Sequence, residues 1–459
     1  MSVLHADGAA PLDIGLLLDT GTWTAMQKGV VVIAALAVLL DGFDSQLISF
    51  AIPVLIKEWG VTRAAFAPVV AAGLIGMSLG SACAGAIGDR FGRRSAILGS
   101  VLLFGVATAL IGFSPNLPTI GVLRFFAGLG IGGALPTSTT MTAEYTPARR
   151  RTLMVTATIV CVPLGGMVAG FFAGAVLPSL GWRALFQIGG ALPILLSGLF
   201  FAVLPESPRF LARRPARWPE LVSLLARMGR LLPAETRFVD GSDLASGQKA
   251  SLGELFASGR ARDTMALWGA FFLCLLAVYS AFGWLPTMLS AQGLDVGMAG
   301  AGLTAYNLGG ALGALVCAGA ITRLGSLQPL VVCAILASIS AFALDFVDIG
   351  DTVVLIVGLG IHGFFVNAVQ STLYAVAAYV YPTAIRATGT AFALSFGRLG
   401  AVLSAVVGAA FISATGPGSY LDVLGFSMLG AALFLLLLRH HIPQAGVADG
   451  ERARQSRLA

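Results

Sequence analysis

The sequence predicts an all-α membrane protein whose twelve transmembrane helices form two pseudo-symmetric six-helix bundles. Three observations carry this expectation: the composition, the number of long apolar runs, and a weak internal repeat. Of 459 residues, 57% are hydrophobic and 11% charged, whereas a soluble domain carries about 25% charged residues. A water-soluble chain of this length could not hide so much apolar surface, so lipid must be the solvent for most of it. The 58 glycines suit membrane helices, where small residues let backbones approach closely.

A spanning helix needs roughly 20 mostly apolar residues. Twelve runs qualify: 28–56, 65–87, 95–113, 117–142, 152–177, 183–204, 264–290, 298–321, 329–347, 352–378, 387–413 and 419–438. The Arg-rich polar segment between the sixth and seventh divides the chain. The expected organisation is an N-terminal tail (1–27), an N-terminal bundle (28–204), a linker (205–263), a C-terminal bundle (264–438) and a C-terminal tail (439–459). Met1 to Trp23 carries Asp7, Asp13 and Asp19 and no Lys or Arg. That is the wrong charge for a signal peptide, so the first apolar run is expected to remain as a membrane helix.

Orientation follows from Lys and Arg, which concentrate on the cytoplasmic side. With both termini inside, the cytoplasmic loops hold Arg90, Arg93, Arg94, Arg149, Arg150, Arg151, Arg323, Arg386 and the linker arginines. The opposite loops hold only Lys57, Arg63 and Arg183 among the bases. This placement accounts for the net charge of +6 without a nucleic-acid partner.

The halves resemble each other. Ile52-Pro53 and Gly60 match Leu285-Pro286 and Gly293 at an offset of 233, as Tyr145-Thr146-Pro147-Ala148 matches Tyr381-Pro382-Thr383-Ala384 at 236. Such a repeat implies a central substrate site and alternating access by rocking of the halves.

Several motifs carry chemistry. Gly85-Ala-Ile-Gly-Asp89-Arg90-Phe-Gly92-Arg93-Arg94 is a tight turn with one acid and three bases. Its Asp89 can pair with arginines or a helix N-terminus and latch a gate. The second-half copy has Thr322 where the acid belongs. Arg124 to Gly133 contains GxGxxG, but inside an apolar helical run rather than a βαβ unit, so close helix packing accounts for it better than a dinucleotide site. Gly166/Gly170/Gly174 and Gly309/Gly313 have the same small-residue spacing. The five cysteines and four histidines assemble no metal pattern; the cysteines read as small packing residues, and three of the four histidines lie in the tails.

Asp41 and Asp44, in Asp41-Gly-Phe-Asp44, lie midway along the first helix, three positions apart and on one face. Carboxylates at membrane depth are costly and usually face a cavity. Two close ones resist double ionisation, the property a proton-coupling site requires. At the offset of 233 stand Cys274 and Ala277, so the acids are not part of the repeat. Arg124 and Arg398 are bases within membrane segments. Either can clamp a substrate carboxylate with parallel hydrogen bonds, or hold Asp41 or Asp44 in a structural ion pair. Phe43, Tyr306, Asn307, Asn367, Gln370 and Tyr374, with Tyr279 and Trp284, are candidates to stack on or bond a substrate, although each ring can equally be core. Glu144 and Arg386 join Asp89, Arg90 and Arg93 as candidate gate residues, and His362 reads as a packing histidine.

The loop Gly85–Arg94 and the Arg124–Gly133 segment resemble signatures of the major facilitator superfamily. Within it, Asp41-Gly-Phe-Asp44, together with Tyr381 to Gly389 and Phe396-Gly-Arg398-Leu-Gly400, resembles the aromatic acid:proton symporter family. Pro205-Glu-Ser-Pro-Arg209 is similar to a sugar-porter segment, but the sugar-porter sequence after the last helix is missing. The resemblance implies a major facilitator fold and import of hydroxybenzoate-like carboxylates by proton symport across a bacterial inner membrane. The chain is expected to act as a monomer, without a cofactor beyond the proton gradient, a metal or catalytic residues. The competing readings are a proton-coupled porter for sugars or non-aromatic acids, and a transporter-like sensor.

Overall fold

The computed structural model describes residues 11–233, 235–240, 252–257, 259–381, 385–414 and 419–442. Pro382–Ala384 of the second-half motif therefore lie outside the described residues. Ten helices are long and apolar enough to cross a membrane; one of these breaks at Gly181 into two arms, and the shorter Tyr420–Leu436 completes twelve segments. We label them α1 (Ala25–Trp59), α2 (Ala67–Phe91), α3 (Arg93–Ile111), α4 (Leu117–Tyr145), α5 and α6 (148–180 and 182–203, the arms of Ala148–Val203), α7 (Ala261–Ala291), α8 (Val296–Leu324), α9 (Leu327–Asp345), α10 (Thr352–Val380), α11 (Arg386–Ala414) and α12 (Ser419–Leu436). Outward positions such as Leu195, Phe171, Val353 and Phe426 are more than 60% exposed. A soluble fold would bury them, whereas lipid solvates them.

The reversal between α5 and α6 depends on Gly181, whose φ of +75° is open to glycine at no steric cost. Phe172 on one arm reaches the Gly189 position on the other, so the arms fold back on each other. Within each half, glycines bring backbones into contact. A Cβ on Gly76 or Gly80 of α2 would lie 2.1 or 2.0 Å from the Phe125 or Leu129 carbonyl oxygen of α4. On α8, Gly309 and Gly313 meet the Gly360 and Phe364 carbonyls of α10 at 1.8 and 1.9 Å. These glycines stand 233 positions after Gly76 and Gly80, and the carbonyls 235 after Phe125 and Leu129. The internal repeat is thus a repeated helix crossing. The glycines of the GxGxxG stretch belong to it: Gly128 and Gly132 face the Gly73 and Met77 carbonyls of α2. Gly166 and Gly170 meet the Gln46 and Thr304 side chains, whereas Gly174 has open space around it.

The linker and the start of the chain pack together beneath the N-terminal half. Leu12–Asp13 pairs with Phe238–Val239 as a short parallel bridge. Ile14, Leu18, Phe210, Leu221, Leu225 and Phe238 are buried in one cluster with α1, α3 and α4 residues. Under the other half, buried Asp263 accepts a hydrogen bond from the Arg439 backbone N–H (2.7 Å) and pairs with His440. The end carrying the linker is called the linker face below.

Gly76→Val places branched carbon against the α4 backbone and is expected to destabilise the protein by about 1–3 kcal/mol. Gly198→Ala, at a position with nothing within 4 Å, should leave stability unchanged or slightly raised. Thermal unfolding of the detergent-purified variants measures both.

Candidate functional site

Asp41 and Asp44 lie near the middle of the 35-residue α1, 6% and 0% exposed. Three residues along a helix rotate a side chain by about 300°, so the two share a broad face but meet different neighbours. Asp44 is paired with Arg124 of α4, with Nη1 3.9 Å from Oδ2. The guanidinium also donates to the Asp44 carbonyl (3.4 Å) and the Ser45 carbonyl (3.2 Å), tying α4 to α1. Neither Asp44 carboxylate oxygen has a hydrogen-bond partner among the described residues, so Arg124 is the main counterweight to its charge.

Asp41 faces a different arginine. A cavity of about 50 Å³ lies between the halves, with Asp41, Ser45, Met77 and Val162 on one side and Tyr279, Asn367, Gln370, Tyr374 and Arg398 on the other. Arg398 Nη1 is buried and has no hydrogen-bond partner among the described residues. Of the two candidate clamps, Arg124 has both terminal nitrogens engaged and only Nε unpartnered, while Arg398 presents an unused terminal nitrogen to the cavity.

The other candidates divide. Asn367, Gln370 and Tyr374 line the cavity from α10, one face of that helix turned inward. Phe43 does not: it is 1% exposed and packs against Phe172, ring centroids 5.4 Å apart. Two positions from Asp41 is a rotation of about 200°, which points Phe43 into its own bundle. Tyr306 is buried against Phe282 and His362, outside the cavity lining. His362 Nδ1 lies 3.1 Å from the Ala337 carbonyl and 3.0 Å from Ser340 Oγ, while its Nε2 is buried without a partner among the described residues. Trp284 is fully buried. Asn307 is engaged by Gln46, a residue not singled out in the sequence: Asn307 Nδ2 donates to Gln46 Oε1 (2.7 Å) and Gln46 Nε2 donates to Asn307 Oδ1 (3.1 Å). This reciprocal pair, both members fully buried, joins α1 to α8 across the two halves.

At the linker face, Arg93 pairs with Asp89 at 2.6 Å and approaches Glu144 at 3.9 Å, while Ser207 Oγ donates to Glu144. Glu206, also missed in the sequence, accepts from the backbone N–H of Arg94 (3.1 Å) at the N-terminus of α3 and from that of Ser207 (2.9 Å). The Glu206 carbonyl accepts from the Tyr145 hydroxyl at 2.6 Å. Gly92, at φ +101°, lies against this carboxylate, where a Cβ would collide at 2.0 Å. The network fastens the linker to α2, α3 and α4, all within one half. The Arg90 side chain stays outside it, packed on Phe91. Arg386 instead donates to the Tyr381 carbonyl of its own half at 3.3 Å.

Replacing Asn307 by Leu strands the Gln46 amide and is expected to cost about 1–3 kcal/mol. The Gln46→Leu/Asn307→Leu double variant should recover most of that loss, and a thermal-unfolding double-mutant cycle reads the coupling.

Comparison with known proteins places this arrangement. The family profile described as Major Facilitator Superfamily matches residues 34–303 and 267–459. The gallate transporter of Pseudomonas putida is 35% identical over 94% of this chain and 96% of its own length. The 4-hydroxybenzoate transporter PcaK of Pseudomonas putida is 34% identical, covering 87% of this chain and 90% of that one. Among solved structures, the xylose transporter XylE from E. coli, in a partially occluded inward-open conformation, superposes with a TM-score of 0.71 over 91% of this chain and 99% of its own. At 19% identity that likeness concerns the fold. The chain belongs to the Major Facilitator Superfamily.

Proposed function

We propose that this protein is a secondary active transporter that imports aromatic carboxylates of the hydroxybenzoate type by proton symport, its two halves giving alternating access to the central cavity. The observation that carries the reading is Arg398, whose buried Nη1 lacks a partner among the described residues and which shares a cavity with Asp41, Tyr279, Phe282 and Tyr374. A guanidinium can donate two parallel bonds to a carboxylate, while aromatic walls suit a ring. The relatives named for gallate and 4-hydroxybenzoate transport support the same substrate class.

Charge supplies the coupling. Asp41 and Asp44 against Arg124 and Arg398 make the centre neutral when all four are ionised. A bound carboxylate adds one negative charge, and one proton restores balance. Since net charge at membrane depth is costly, the loaded centre closes most readily when acid and proton are both aboard. Asp41, beside Arg398, takes the proton and yields the guanidinium to the substrate. Arg124 remains with Asp44 and holds α1 against α4. Asn367, Gln370 and Tyr374 bond ring hydroxyls. Asp89, Arg93 and Glu144, with Glu206, keep the linker-face gate of the N-terminal half in shape. We place the chain in a bacterial inner membrane as a monomer with termini and linker cytoplasmic, as the arginine distribution supports.

Uptake of labelled 4-hydroxybenzoate by expressing cells tests this directly. A protonophore should collapse accumulation, and Asp41→Asn should bind substrate yet fail to concentrate it. Undiminished accumulation under the protonophore would remove proton symport. The two arginines should separate by readout. Arg398→Gln loses a charge-assisted contact worth about 1.5–3 kcal/mol, raising KM by roughly tenfold to a hundredfold with little change in melting temperature. Arg124→Gln strands the Asp44 carboxylate and should cost about 3–5 kcal/mol of stability.

A further inference from the structure

A second chamber adjoins the central cavity. Of about 40 Å³, it lies toward the face opposite the linker and contains Arg124, Gln46, Ser49 and Gly73. Both chambers are bounded by Ser45, Met77, Ile131, Tyr279 and Phe282. Between them Tyr279 of α7 donates its hydroxyl to Met77 Sδ of α2 at 3.3 Å, across the two halves. Each chamber has room for a few water molecules at most, and neither approaches the roughly 150 Å³ that admits a benzene ring. A ring cannot be seated while this contact stands.

We infer that Tyr279 and Met77 form a movable partition that sets the size of the cargo. When Tyr279 turns away from Met77, the chambers join into one elongated cavity with Arg398 at one end and Arg124 at the other. The acid then lies with its carboxylate on Arg398, and its ring occupies the space the partition filled. The far substituents of the ring extend toward the Arg124 chamber. Met77 suits the moving side, since an unbranched thioether repacks without strain. The O–H···S contact is weak enough to break on each cycle, as S···O contacts are second-order. Ring length is thus limited by how far the partition withdraws rather than by the groups that bond the carboxylate. This inference rests on the aromatic-acid reading above.

The test is the ratio of 2-naphthoate to 4-hydroxybenzoate transport in Tyr279→Ala, Met77→Ala and Tyr279→Phe. Opening the partition from either side should raise that ratio on the order of tenfold or more, the scale of one steric mismatch in an apolar pocket. Tyr279→Phe, which keeps the ring, should stay within about threefold of wild type on the same scale. Where a variant folds but no longer transports, ligand-induced melting shifts of the purified protein with the same two acids report the ratio. An unchanged ratio in both alanine variants would overturn the partition while leaving the transporter reading intact. A wild-type protein that binds neither acid would instead overturn the substrate class.

Discussion

A charge in the middle of an apolar bundle has to be answered by another charge, and that constraint orders the centre of this protein. Asp44 has Arg124 at 3.9 Å and no hydrogen bond on either carboxylate oxygen among the described residues. The pair therefore rests mainly on Coulomb attraction between buried groups, where removing one partner is far costlier than the pair's net contribution to stability. Arg124 answers Asp44 and gives both terminal nitrogens to backbone carbonyls of α1. Arg398 shares its cavity with Asp41 and keeps Nη1 unused. The same residue types thus do two jobs: one pair holds helices, the other stays exchangeable. On the proposed function, an anion entering the second pair would replace a carboxylate with a carboxylate, so that recognition and proton uptake would become one event.

The frame that holds these charges comes from glycine. Backbones touch where α2 crosses α4, and they touch again where α8 crosses α10, at carbonyl positions related by the same sequence offset. Contacts this close leave little freedom within a half, because moving either helix drives backbone into backbone. The duplication is structural and not chemical. Cys274 and Ala277, the counterparts of Asp41 and Asp44, are fully buried packing residues. Asymmetric chemistry on a symmetric frame puts the acids in one half and Arg398 in the other, so a substrate held between them touches both moving bodies.

Most of the fold was legible in the sequence because apolar length and glycine spacing report on lipid and on helix crossings, both of which act locally. Asp41, Asp44, Arg124 and Arg398 were legible because an ionisable group in an apolar run stands out whatever its neighbours. Their pairing was not, since it depends on how α4 and α11 lie around α1. Phe43 misled by its place between the acids, though rotation along the helix already points it elsewhere. Asn307 was legible as a polar group in an apolar run, but not its partner: its amide meets Gln46, a residue 261 positions away. Met77 carries no charge or polarity to mark it, and its position beside Tyr279 follows only from the packing of the two halves. Glu206 sits in a Pro-Glu-Ser-Pro run whose partner, the first turn of α3, is likewise distant in sequence.

The bonds between the halves differ in kind from those within them. Among the described residues, the side-chain hydrogen bonds that cross are the Gln46–Asn307 amide pair and the Tyr279–Met77 contact. Each hydrogen bond contributes only about 0.5–1.5 kcal/mol net, and amides and hydroxyls readily find new partners when water enters. Backbone-to-backbone crossings have no such alternative, so they persist while the interface exchanges. Rocking of two rigid units over a weakly bonded seam follows from that difference. The seam runs through the cavity itself, with Tyr279 and Met77 on opposite sides of it. The groups that must part for a ring to be seated are therefore among those that must part for the halves to move, and on that ground substrate binding loosens the interface that closes it in.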